Sequence, residues 1–242
     1  MNLSEPMRLE RPEQLAFMRD VVANQRPMVI RGEMDDWEAL SWSPAVLRDR
    51  CADRLVRVRR GRGVGDDQLH GLLERMDGVL EGPLSELLPG VAHEARVPQF
   101  IPRSPLSETI DEPTLWIGAA DTTPLHHQPG TESLFQVIDG TVEARMFPMT
   151  ESGRLYRRSP WHAEASVSPV DAFAPDPQEH PRASEATGLA VELGPGDALY
   201  VPPHWWRSLR ATGPAIRLLT TWTSLYRPPA WTRSGLALRL GR

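Results

Sequence analysis

Thr123-Pro-Leu-His-His-Gln-Pro129, taken with Gly196-Asp-Ala-Leu-Tyr-Val-Pro-Pro-His-Trp-Trp-Arg207, decides the fold of this chain. Residues two apart on a strand point the same way, so His126 and Gln128 share one face and His127 takes the other. Around these segments the sequence breaks into short strands: Leu115–Gly118, Ser133–Ile138, Val142–Phe147, Leu189–Leu193, Ala198–Val201, Trp205–Leu209 and Ile216–Trp222. Turn signals at Asp139-Gly140, Gly194-Pro-Gly196 and Thr212-Gly-Pro214 separate them. Many short strands at close spacing predict a sandwich or barrel, with a jelly roll as the natural closed form.

The residues before this β region alternate helical and strand signals. Apolar residues at Leu15, Phe17, Met18, Val21 and Val22 predict a helix over 12–22. Pro27–Gly32 predicts a short buried strand. Ser43 followed by Pro44 predicts a capped helix running to Cys51. A strand is expected over 54–60, then helical stretches over 67–80 and 83–88. The chain thus divides as one domain, 1–242: a mixed α/β segment over 1–112, a β core over 113–226 and a tail over 227–242. The core carries a proline-rich insertion at 150–187, whose length fits a lid, an oligomer contact or a disordered loop.

Composition removes several functions. The net charge of −5 argues against a nucleic-acid surface or a polybasic membrane patch. All 27 basic residues are arginine, so no lysine is present to form a Schiff base. Cys51 is the only cysteine, which leaves no intrachain disulfide and no thiolate zinc cluster. Neither a signal peptide nor an apolar run of membrane-spanning length is apparent, and a cytoplasmic protein is expected.

Several phrases in order resemble the cupin-like branch of the JmjC family, the Fe(II)- and 2-oxoglutarate-dependent oxygenases. They are Arg26-Pro-Met-Val-Ile-Arg-Gly32 with Asp36-Trp37, Leu115–Gly118, Thr123–His126, Gln136–Gly140, Met146-Phe-Pro148, Ser168–Asp171 with Pro175-Asp176, and Gly196–Pro203 with Trp205-Trp206. The resemblance implies a mainly β fold, a double-stranded β-helix of cupin/JmjC type with a few flanking helices. It also implies an iron held by two histidines and a carboxylate, which leaves coordination positions open for co-substrate and oxygen.

At the positions the resemblance assigns, His126 stands at the first ligand and Gln128 where the aspartate belongs. Arg207 stands where the second histidine belongs, and Val142 replaces the basic residue that holds the co-substrate. Thr123, a co-substrate contact in relatives, is kept. Glutamine is a weak neutral donor, and arginine, a fixed cation, repels a divalent metal. No cofactor is therefore expected in the standard form; if the chain is active, Fe(II) and 2-oxoglutarate are implied. The leading reading is a divergent member without standard oxygenase activity, a pseudoenzyme or a pocket in which His126, Gln128 and Arg207 bind a small anion. A second reading is a hydroxylase of a protein, peptide or small molecule through a rearranged centre of His126 and His204, with Gln128 or Glu132 as oxygen ligand. A third is an assembly subunit with a vestigial pocket. Partners expected are a small-molecule or peptide ligand and a second copy of the chain bound through the C-terminal segment.

Overall fold

The computed structural model of the chain describes residues 1–61, 63–101, 112–119, 121–159 and 161–223. Thirteen strands appear among them: β1 (Asn2–Ser4), β2 (Met7–Glu10), β3 (Met28–Arg31), β4 (Leu55–Arg60), β5 (Gly63–Gln68), β6 (Val79–Pro83), β7 (Thr114–Ala119), β8 (Thr131–Asp139), β9 (Val142–Phe147), β10 (Thr187–Leu193), β11 (Ala198–Val201), β12 (Trp206–Ala211) and β13 (Pro214–Thr223). They form two sheets, a nine-stranded one in the order β2-β3-β11-β8-β13-β7-β6-β4-β5 and a four-stranded one in the order β1-β10-β9-β12. The fold is mainly β, of jelly-roll type, and the two sheets are not hydrogen-bonded into a closed barrel.

Strand alternation sorts the apolar residues into three layers. Phe135 and Val137 of the larger sheet meet Val142, Ala144, Met146, Leu193 and Leu209 of the smaller one to form the core between the sheets. The opposite face of the larger sheet, with Leu134, Ile138, Tyr200 and Trp222, is covered by the N-terminal segment through Phe17, Trp37, Leu47 and Leu72. The opposite face of the smaller sheet, with Phe147 and Trp206, is covered by the insertion through Leu155, Val170, Ala172 and Ala183. Two arginines clamp that cover: Arg145 and Arg210 both lie over the Phe173 ring, at 4.9 and 4.3 Å, and Arg145 Nη1 donates to the Ala172 carbonyl at 2.6 Å. The insertion is therefore a packed cover.

Three of the turns marked in the sequence join strands of different sheets. Gly140 carries the chain from β8 to β9, Gly194–Gly196 from β10 to β11, and Thr212-Gly213 from β12 to β13. Gly140 has φ +81°, and a Cβ there would collide with the Pro214 carbonyl and the Ala215 backbone. Gly140→Ala is expected to destabilise the fold by about 2–4 kcal/mol, from left-handed strain plus overpacking. Urea unfolding monitored by tryptophan fluorescence measures it.

Ser43 caps the helix Pro44–Arg50 by accepting from the Val46 N–H, as its sequence predicts. Two helical expectations need correction. Residues 67–80 hold a helix only over Leu69–Arg75, ended by Met76 at φ 47°. The flanks are strands, because β5 pairs with β4 and β6 pairs with β7. Over 12–22, one α-turn at Gln14–Ala16 passes into a π-helix at Phe17–Val22, which buries Phe17, Val21 and Val22 together. Strands β1 and β2 were not legible, being short, polar and mostly exposed. The C-terminal segment assigned to a dimer contact lies outside the described residues, as do residues 224–226 of the expected core.

Candidate functional site

Residues 121–127 run beside β12 through bridges at Thr122–Arg210 and His126–Arg207, the latter with both backbone hydrogen bonds, at 3.0 and 2.7 Å. This pairing sets two opposed faces. Arg207 turns toward the core between the sheets, over Phe135, with Gln128 bonded to it and His126 paired beside it, whereas His127 packs edge-on against Trp206 on the side of the insertion, ring centroids 4.6 Å apart.

Arg207 is 0 % exposed. Its Nη2 donates to the Gln128 side-chain oxygen, and its guanidinium lies over the Phe135 ring at 5.4 Å. Its Nε and Nη1 have no hydrogen-bond partner, and no ion pair reaches it among the described residues. Burial alone pulls its pKa down to about 10. Ser133 Oγ points at the same Gln128 oxygen from 3.5 Å. His126 Nδ1 donates to the Pro124 carbonyl at 2.8 Å, which fixes the tautomer and leaves Nε2 as a lone-pair acceptor. Its pKa is lowered first by burial and then by the Arg207 charge.

Arg217 on β13, which the sequence reading did not single out, gives the contrast. It too is buried, 5 % exposed, but donates to Asp121 at 2.9 Å and stacks over Trp116 at 4.8 Å. Arg59 completes Asp121 at 2.9 Å. Its position on β13 between Ala215 and Leu219 was the available signal. One buried arginine is neutralised, and the other has no carboxylate partner among the described residues.

Thr123 is committed to strand pairing: its Oγ1 accepts from the Leu209 N–H at 2.9 Å, and its carbonyl accepts from Ser208 Oγ at 2.6 Å. Val142 is packed in the inter-sheet core and offers no donor. His204 lies beside His127, ring centroids 6.4 Å apart, on the side of the insertion. Among the described residues no three His, Cys, Asp or Glu side chains are grouped to hold a metal ion. Glu132 is buried in the layer against the N-terminal segment, where Tyr200 Oη donates to it at 2.6 Å.

His127 is 3 % exposed, and its pKa is pushed down to about 3, first by burial and then by Arg157 and His204. An unfolded histidine titrates near 6.5, so the unfolded chain takes up a proton that the folded one refuses between pH 6.5 and 3. Stability is therefore lost as pH falls through that window, with a slope of up to about 1.4 kcal/mol per pH unit from this residue. His127→Gln is expected to flatten the native chain's stability curve between about pH 6 and 4, as urea titrations across that range would show.

A two-sheet jelly roll with His126, Gln128 and Arg207 brought together beside β12 has the architecture of the cupin class of protein. The cupin-like domain family matches residues 78–224, and the chain belongs to that family, in its JmjC type. It is similar to lysine-specific demethylase 8 of Xenopus tropicalis, 27 % identical over 228 residues, covering 86 % of this chain and 50 % of that protein. Lysine-specific demethylase JMJ30 of Arabidopsis thaliana is 28 % identical over 231 residues, 86 % of this chain and 52 % of that one. Human HSPB1-associated protein 1 is 33 % identical over 117 residues, 47 % of this chain and 24 % of that one. The chain thus spans about half the length of the two demethylases it matches.

Proposed function

We propose that this chain uses the space between its sheets as a metal-independent pocket for a small carboxylate, and that it has lost the standard oxygenase reaction. Members of the JmjC type generally depend on Fe(II) and 2-oxoglutarate, so the residues must be tested against that pair. They do not fit it. His126 Nε2 is one good ligand, but the Gln128 oxygen is taken by Arg207, and Arg207 puts a cation where a ligand belongs. Thr123 is spent on the strand pair, and Val142 provides no cation for a co-substrate carboxylate.

The observation that carries the reading is the buried Arg207 with Nε and Nη1 unpaired. A buried cation without a counter-charge is costly, whereas a charge-assisted bond to a carboxylate removes that penalty. The binding residues are Arg207 as the charge, the Gln128 amide as a further donor and His126 at the rim. Calorimetry with 2-oxoglutarate, succinate and phosphate tests it, comparing the native chain with Arg207→Ala. Binding of a carboxylate to the native chain alone supports the reading; equal behaviour of the two proteins toward every anion overturns it.

The hydroxylase reading rests on the free lone pair of His126 Nε2. Metal analysis of protein purified anaerobically with Fe(II) separates the two. Stoichiometric iron that disappears in His126→Ala would favour the hydroxylase.

A further inference from the structure

The insertion side of the same strand holds a second group of unsatisfied donors. His127 and His204 both have two buried ring nitrogens without a hydrogen-bond partner, and Arg157 has a buried, unpartnered Nε. The rings lie 6.4 Å apart and inclined by 33°. The Arg157 charge acts on both of them, lowering their proton affinity after burial has done so. Among the described residues the Arg157 guanidinium otherwise meets Met149 Sδ at 3.8 Å, and the Ala165 backbone favours a charged His127.

We infer that His127, His204 and Arg157 form an oxyanion site between the smaller sheet and the insertion, for an anion of phosphate or sulfate size. The two imidazoles are brought together from residues 125–128 and the turn before β12, and Arg157, from the insertion, acts on both through its charge. A bridging oxygen at about 2.8 Å from a nitrogen of each ring would span a centroid separation of roughly 6–7 Å at a tetrahedral angle. The observed spacing falls in that range. A divalent metal is disfavoured, because no third ligand is grouped with the two rings among the described residues and Arg157 repels a cation. Donors that converge from different directions suit a tetrahedral oxyanion better than a planar carboxylate, and a guanidinium with two imidazole N–H groups is a familiar chemistry for holding one. The site is independent of the carboxylate pocket: it lies on the other face of the strand and shares no side chain with it.

The test is thermal unfolding and ³¹P line broadening of the full chain in phosphate, with sulfate and acetate as comparison anions. The native chain should show a saturable rise in unfolding temperature with phosphate and sulfate at constant ionic strength, and any rise with acetate should be lost in Arg207→Ala. Arg157→Gln should lose most of that rise, whereas Arg207→Ala should keep it. His204 sits at φ +67°, and asparagine tolerates that region better than most residues, so His204→Asn removes the imidazole without backbone strain. It should weaken phosphate binding at least tenfold while remaining folded, which guards against failure of Arg157→Gln to fold. No saturable response of the native chain to phosphate or sulfate overturns the proposal. So does a response that survives both Arg157→Gln and His204→Asn but vanishes in Arg207→Ala, which would place the anion between the sheets.

Discussion

Arg207→Met is expected to make the protein more stable. Most substitutions of a fully buried side chain destabilise, through a cavity or a lost bond. Arg207 differs because it is buried with two nitrogens unpaired and no carboxylate, unlike Arg217 with Asp121. Methionine has similar length, packs against the Phe135 ring and removes an uncompensated cation. By analogy with buried charges replaced by apolar residues, the gain should be about 1–4 kcal/mol. For a chain of this size each kcal/mol corresponds to roughly 2–4 °C in unfolding temperature. The same substitution should abolish stabilisation by carboxylates, so the two proteins should converge as ligand is added. A loss of stability in Arg207→Met without ligand would mean that the guanidinium is satisfied in solution, and the case for an anion pocket would fall.

The second large effect is a gain of metal. Gln128→Asp combined with Arg207→His places two imidazoles and one carboxylate on the inner face, a ligand set suited to Fe(II) with open positions. His126 is already prepared, since the Pro124 carbonyl holds its tautomer with Nε2 free. The double variant is expected to bind Fe(II) or a divalent substitute close to one per chain, against essentially none for the native protein. Anaerobic dialysis followed by metal analysis reads the difference, and adding His126→Ala to the double variant should remove it. Failure of the double variant to bind, while still folded, would show that the strands have moved apart since the ligands were replaced.

Much of this architecture was legible in the sequence because its determinants are local. Alternation located β7 to β13 within a residue or two, and Ser43-Pro44 announced a cap that Val46 completes. What escaped is decided by contacts between distant segments. The flanks of the Leu69–Arg75 helix are strands because β4 and β7 are there to pair with them, and β1 and β2 owe their form wholly to β10 and β3. At the site, period-two alternation separated His126 from His127 correctly. It gave no hint that Arg157, from the insertion, would join His127 and His204, nor that Asp121 would answer Arg217 and leave Arg207 alone. Counter-charges come from folding, and a list of residue types at motif positions does not contain them.

The strap formed by residues 2–10 adds one strand to each sheet: β1 lies parallel to β10, with Asn2 opposite Thr187, and β2 lies parallel to β3. Its order of assembly is thus the reverse of its order of synthesis. β1 emerges early and has no partner until Thr187–Leu193 has been made and has joined β9. Such long sequence separation makes pairing slow, and unpaired strand edges invite association with other chains. Until the strap locks, β10 is an open edge, which leaves the smaller sheet exposed to misassembly while it folds.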